Sequence, residues 1–247
     1  MNKEFYVVPM TYEMNFAKVK LAYLDDVMVF HLRPTSISPL NLMLKRAIDI
    51  FVSSVALLIA WLPMCLIALL IKLDSPGPVF YKQLRLTKNK KEFYIYKFRS
   101  MVQDAEKKSG PALATKDDPR ITRVGKWLRK LRLDELPQLI NILKGDMSIV
   151  GPRPERPFFI EKYEKEIPNY DKRFMMKAGL TALSHVYGRY STDIIDRTHY
   201  DLLYVQNYNL LLDIRIMLLT SRTLFLKDAA EGIVTADRRE GAKNNAK

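Results

Sequence analysis

"AIDIFVSSVALLIAWLPMCLIALLI", residues 47 to 71, is the one stretch of this 247-residue chain that can enter a bilayer. About 20 apolar residues are enough to span a membrane as a helix, and the single charge here, Asp49, lies near one end. Two readings stand open: a transmembrane helix, or a bent segment that dips in and returns to the same face. Pro63 favours the bend, because proline removes a backbone hydrogen bond and kinks a helix. Lys45 and Arg46 flank one end and Lys72 the other, so positive charge does not separate the two ends. "DSPGPV" (Asp74 to Val79) then stops any helix.

Around this segment the chain is strongly basic, with a net charge of +13, which implies an anionic partner such as nucleic acid, phosphate substrates or an acidic membrane face. One cysteine, Cys65, excludes an internal disulfide framework or a zinc cluster, and the three histidines show no metal-ligand spacing. "MNKEFYVVPMTYEM" has no uninterrupted apolar core and does not read as a signal peptide. Short strand-like runs fall at Tyr6 to Pro9 and Val27 to Leu32, ahead of a linker, "RPTSISPL". "PVFYKQLRL" and "EFYIYKFRSM" alternate around "TKNKK" and predict a β-hairpin. Residues 102 to 120 read as loop, and helical patterning dominates from Ile121. Leu202 to Lys227 predicts a helix buried in the core or lying in the membrane interface. The last residues read as disordered.

The chemistry concentrates in "LRKLRLDELPQLINILKGDMSIVGPRPERP", residues 128 to 157. Proline suits the first turn of a helix, so Pro137 predicts a helix beginning near Asp134, and Gly145 supplies its stop. Asp134 and Glu135 then sit at a helix N-terminus, with Arg129, Lys130 and Arg132 close in sequence, which should keep both acids charged. An N-cap within a solvated charge cluster would use the same residues. Against it stand Arg153, held between prolines in "GPRP", and Lys97 and Arg99 in "YKFRS". Arginine presents a planar fork of donors to phosphate oxygens. Cations converging on paired carboxylates suit metal-assisted phosphoryl transfer, since Mg²⁺ binds one or two carboxylates and completes its shell with phosphate and water. An ionised aspartate can also attack phosphorus. Nucleic-acid binding would leave the acids without a role, because they repel the backbone.

At these residues the chain resembles the bacterial sugar transferases, the monotopic phosphoglycosyl transferases that begin glycan assembly on a polyprenyl phosphate. The resemblance runs from about Leu44 to Gly232. Its blocks, in the family's order, are "KRAIDI", "SPGPVFYKQLR", "YKFRSM", "DDPRITRVGKWLRK", "LDELPQLINILKGDMSIVGPRP", "YGRYST" and "DLLYVQNYNLLLDIRIMLLT". It implies an α+β, predominantly helical monotopic membrane protein with a kinked re-entrant helix broken at Pro63 and a small β-hairpin. Residues 1–40 would be the remnant of an α/β domain and linker, 41–73 the re-entrant helix, 74–232 the cytosolic catalytic domain with interfacial helices, and 233–247 a disordered tail. The chain would then be a shortened relative of the longer members.

The implied reaction moves a sugar 1-phosphate from a UDP-sugar, a hexose being slightly preferred, to undecaprenyl phosphate. It would release UMP at the cytoplasmic face of the bacterial membrane, as the first membrane step of exopolysaccharide or capsule synthesis. Asp134 falls on the family's nucleophile and Glu135 on its Mg²⁺-positioning acid. Lys97, Arg99, Arg129 and Arg153 fall on basic motif positions and are phosphate-contact candidates. Arg189 in "YGRY" is expected to face the nucleotide, and Asp146 is either a supporting acid or a loop cap. A catalytically silent scaffold of the same family is the alternative, and pairing as a homodimer is left open. Thr87 and Lys90 stand where relatives often carry glycine, and "AGLTALSHV" replaces the common "PGITGxAQV", changing Ala178, Ala182, Ser184 and His185.

Overall fold

The computed structural model describes residues 17–24, 27–34, 37–105, 118–187 and 193–224. The molecule is α+β with helices predominating, as expected. β1 (Ala17–Leu24) and β2 (Val27–Pro34) pair antiparallel along their full lengths. The apolar run at Val27 is therefore half of a hairpin, while Tyr6 to Pro9 lies outside the described residues. The expected second hairpin forms from β3 (Phe80–Leu86) and β4 (Glu92–Phe98), antiparallel and joined by a tight turn at Lys88–Lys90. At that turn Lys90 has φ +57, a left-handed conformation that glycine adopts most easily.

After the hairpin come α2 (Arg123–Lys130), capped by the Thr122 hydroxyl, and α3 (Gln138–Lys144), closed by Gly145 at φ +88. Sequence periodicity missed the next feature. β5 (Met147–Val150) pairs parallel with β6 (Ala178–Thr181) across α4 (Pro157–Glu166). Four buried residues with no alternation cannot be told from helix by pattern alone. α5 (Leu183–Tyr187), α6 (Ile194–Gln206) and α7 (Leu210–Leu224) complete the fold. The single helix expected over Leu202 to Lys227 is two helices. Asn209 accepts from the Leu212 amide at 2.8 Å, and this local bond starts a new helix after the Asn207 stop.

The apolar segment is α1 (Pro39–Asp74), 36 residues and about 54 Å long at 1.5 Å per residue. The expected break at Pro63 is not an interruption of the helix. The ring removes one N–H, and the hydrogen bonds on either side carry the helix through. Both arms of α1 rest on the same body. Ala56 and Leu57 pack on the main core of Ile142, Met147, Val150, Val205 and Ile216, and Met64 and Ala68 pack on a second cluster of Ile67, Ile71, Phe98 and Leu128. Only residues 58–63 lie between these contacts, about 9 Å of helix against a hydrocarbon core about 30 Å thick. There Leu58, Ile59, Trp61 and Leu62 are 55–73% exposed, and the nearby sole cysteine, Cys65, is exposed too. An apolar surface of this extent marks a membrane-facing element.

Polar ties fix the first arm. Lys45 donates to Asp213 at 2.7 Å and to the Val150 carbonyl at 2.8 Å, and Tyr204 donates to the other Asp213 oxygen at 2.7 Å. Asp49 accepts from the Ser148 hydroxyl at 3.1 Å and the Ile149 amide at 3.0 Å. Arg46 donates to the carbonyls of Ile142 and Leu143 at the end of α3, where cations are favoured. "KRAIDI" is therefore a set of anchors, and two of the three cations flanking the apolar run are turned inward.

Candidate active site

Between α2 and α3 the chain reverses at Arg132, which holds φ +55, and enters a 3₁₀ turn over Leu133–Glu135. A non-glycine residue held left-handed beside the acid pair is strain that its surroundings must impose. The α-helix begins at Gln138, later than expected, so both acids ride on the turn that precedes it. Leu133 and Leu136 pack against the cluster containing Ile67 and Ile71, which locks the acids to the second arm of α1.

Glu135 is the better-held acid. Its Oε1 accepts from the Lys97 amine at 2.8 Å, and Arg153 stands 3.8 Å from the same oxygen. Burial alone would raise its carboxyl, but the charges of Lys97 and Arg153 and the Lys97 hydrogen bond hold it well below the usual carboxylate range. Asp134 goes the other way. Burial raises its carboxyl and the Glu135 charge adds to this, while Lys97 and Arg129 oppose. The nearby cations outweigh burial at Glu135 and are outweighed by it at Asp134. The Asp134 carboxylate makes no hydrogen bond to another described residue.

The loop carrying Arg153 is tightly set. Gly151 donates to the Thr181 carbonyl at 3.0 Å and Gly179 to the Pro152 carbonyl at 2.9 Å, at an approach so close that a Cβ on Gly179 would fall 2.2 Å from the Gly151 nitrogen. Arg85 donates to the Pro154 carbonyl at 3.0 Å, and buried Arg173, paired with Asp201, donates to the Arg153 carbonyl at 2.6 Å. The Arg153 guanidinium also reaches His185 Nε2 at 2.9 Å. The Ala182 amide donates to Nδ1 of the same ring at 3.2 Å, so a donor faces each ring nitrogen and neither position favours a second proton on the imidazole. Burial and the charges of Arg153 and Arg132 push this histidine well below its ordinary value.

Asp134, Glu135, Lys97, Arg129 and Arg153 are thus brought to one locality, Arg129 through the charge it places on Asp134. Arg99 is not joined to them by any hydrogen bond. β4 ends at Phe98, and the buried Arg99 guanidinium donates to the carbonyls of Ser75 and Pro76 and to the Ser75 hydroxyl, closing the end of α1. Gly77 leaves the room for it: a Cβ there would lie 2.1 Å from Arg99 NH1. Arg189 lies outside the described residues. His185 and the Arg173–Asp201 pair were not foreseen as part of the site, because contacts across 32 and 28 residues leave no periodic signal.

Among the described residues no group of three or more His, Cys, Asp or Glu side chains could hold a metal ion. Mg²⁺ needs fewer, and the donor chemistry fits it: two adjacent carboxylates, one held ionised, with the rest of the shell left to phosphate and water.

The bacterial sugar transferase family profile matches residues 40–227. The chain is 41% identical over 210 residues to the UDP-N-acetylgalactosamine-undecaprenyl-phosphate N-acetylgalactosaminephosphotransferase of Aeromonas hydrophila, covering 84% of this chain and 49% of that protein. It is 39% identical over 229 residues to the UDP-glucose:undecaprenyl-phosphate glucose-1-phosphate transferase of Escherichia coli (strain K12), covering 91% and 49%. The chain therefore spans about half the length of these relatives. With the exopolysaccharide production protein PSS of Rhizobium leguminosarum bv. phaseoli it shares 47% identity over 186 residues, 72% of this chain and 93% of that one. By the profile and by these relatives alike, this chain belongs to the bacterial sugar transferase family.

Proposed function

We propose that this chain transfers a sugar 1-phosphate from a UDP-sugar to undecaprenyl phosphate through a covalent intermediate on Asp134. An Asp134 carboxylate oxygen attacks the β-phosphorus of the nucleotide sugar, the bond from that phosphorus to the bridging oxygen breaks, and UMP leaves with the bridging oxygen. A phosphate oxygen of the polyprenyl carrier then attacks the same phosphorus, breaks its bond to Asp134 and restores the carboxylate. The observation that carries this reading is the division of labour in the acid pair. Glu135 is engaged by Lys97 and Arg153, while the Asp134 carboxylate beside it makes no hydrogen bond to another described residue.

Lys97, Arg129 and Arg153 stabilise the charge that develops on the transferring phosphoryl oxygens. Glu135 would hold Mg²⁺, which when bound would supply neutralisation of the diphosphate charge. The membrane reading is that α1 enters and leaves one leaflet at the cytoplasmic face. Its support is that both arms return to one body, with only residues 58–63 free between them. The relatives' names differ in the sugar, N-acetylgalactosamine for the Aeromonas protein and glucose for the Escherichia coli one, so the donor is taken at the level of a UDP-hexose or its N-acetylated form.

The test uses the purified full chain in detergent with Mg²⁺, a panel of UDP-sugars and undecaprenyl phosphate. UMP release with one sugar is expected, together with a phosphosugar mass on the Asp134 peptide when the acceptor is omitted. Asp134→Asn should abolish both; full turnover by that variant would falsify the covalent route.

A further inference from the structure

A second concentration of positive charge lies away from the acid pair, between the first arm of α1 and the turn joining β3 to β4. It is a cleft of about 660 Å³ including its open mouth, with Leu42, Met43 and Met176 on its apolar side and Arg46, Lys88 and Lys177 on its basic side. Two further charges that line it, Lys45 and Asp49, are already committed to Asp213, Ser148 and backbone groups. Arg46 has spent two donors on carbonyls of α3. The side-chain amines of Lys88 and Lys177 make no hydrogen bond or ion pair among the described residues.

These cations converge rather than spread. A methyl group placed on Gly145 would meet Arg46 NH2 at 3.4 Å and Lys177 Nζ at 3.5 Å. The Thr87 hydroxyl, next to Lys88, donates to the Asp146 carbonyl at 2.8 Å and accepts from the Ala178 amide at 3.1 Å, which draws the turn onto the same spot. Burial first, and then the charges of Arg46 and Lys88, lower the Lys177 amine, while Asp49 and Asp146 only partly offset them. Amines crowded together at half-buried positions are relieved by an anion. The apolar side of the cleft says which kind. Met43, on its lip, is 64% exposed, and further along α1 toward the membrane-facing residues 58–63 Ile50 and Phe51 are exposed as well. An anion seated here therefore lies where chains can run along α1, which suits an amphiphile and not a free nucleotide.

We propose that this cleft binds the phosphate headgroup of an anionic phospholipid of the leaflet, its acyl chains running along α1 from Met43 toward the exposed residues 58–63. The assignment rests on α1 facing the membrane and is independent of the reaction at Asp134. Bound there, the lipid ties the β3–β4 turn to the first arm of α1 and sets the depth of the catalytic body at headgroup level.

The test is native mass spectrometry of the full chain in detergent titrated with phosphatidylglycerol, with phosphatidylcholine as the neutral control. One tightly retained phosphatidylglycerol is expected. A basic side chain near an anionic headgroup contributes about fivefold, so Lys88→Gln with Lys177→Gln should weaken retention by about twentyfold or more. Lys88→Arg with Lys177→Arg should restore it, separating headgroup charge from a damaged fold. Equal retention by wild type and the glutamine variant overturns the proposal. So does one-for-one displacement of phosphatidylglycerol by undecaprenyl phosphate, which would make the cleft the seat of the acceptor substrate. Neither result depends on UMP release, so failure here and failure of the proposed reaction are separately visible.

Discussion

Lys45 of α1 and Asp213 of α7, 168 residues apart, close a 2.7 Å ion pair from which solvent is nearly excluded. The pair joins the membrane helix to the last described helix through the Val150 carbonyl of β5, so three elements share one buried charge. Removing one partner leaves the other charged and unpaired, which costs about 3–5 kcal/mol. Asp213→Ala should therefore strongly lower the unfolding midpoint in detergent. Lys45→Met combined with Asp213→Leu should lose much less, because no orphaned charge remains. Equal losses in the two variants would show that packing and not charge is what the pair contributes.

Lys97 has a double influence, bonding Glu135 and lowering the carboxyl of Asp134. Lys97→Met should reduce kcat/KM for UMP release by about a hundredfold, on the scale of losing a preorganised donor. It should also move the acid limb of the pH profile upward, because Asp134 must be ionised to attack and loses a cation that favours ionisation. A pH–rate series on both proteins checks the direction. A limb that stays in place would detach Lys97 from Asp134.

His185 is held neutral below the pH at which free histidine charges. Between that depressed value and about 6.5 the unfolded chain takes up a proton that the folded chain refuses, so stability is full above about 6.5 and falls as the pH drops. Urea midpoints at pH 7.5 and 5.5 should differ in that direction for the wild type. His185→Gln, which can still accept from Arg153, should flatten the dependence.

Gly77 combines φ +122 with an arginine head where a Cβ would be. Gly77→Ala should cost about 1–3 kcal/mol in backbone strain, in addition to the displacement of Arg99. A matching fall in midpoint for Arg99→Gln would confirm that this arginine serves the end of α1. A UDP-sugar KM that rises for Arg99→Gln as steeply as for Lys97→Met would return it to the phosphate site.

Legibility in the sequence followed the range of the interaction. The long apolar run, the β3–β4 alternation and the Gly145 stop are local patterns and were read correctly. β5 and β6 were hidden because four buried residues have no period, and the split between α6 and α7 because one asparagine side chain decides it. Lys45 and Arg46 read as charges flanking a membrane segment, yet their partners lie 96 to 168 residues away. In the site, the acid pair and its loop arginine stood out by residue type. What sequence could not supply was the opposite balance of burial against nearby cations at Asp134 and Glu135, or the histidine that packs beside Arg153. Both depend on which groups the fold desolvates.

Cys65, two positions beyond Pro63, is the chain's single thiol, so nature has already placed one unique handle for a fluorophore near the tip of α1. Nitroxide quenchers attached at graded positions along the acyl chains turn such a reporter into a depth gauge without mutating anything else. A shallow reading, in the half of the bilayer next to the catalytic body, is what a returning helix requires; a signal from the far leaflet would mean a through-going one.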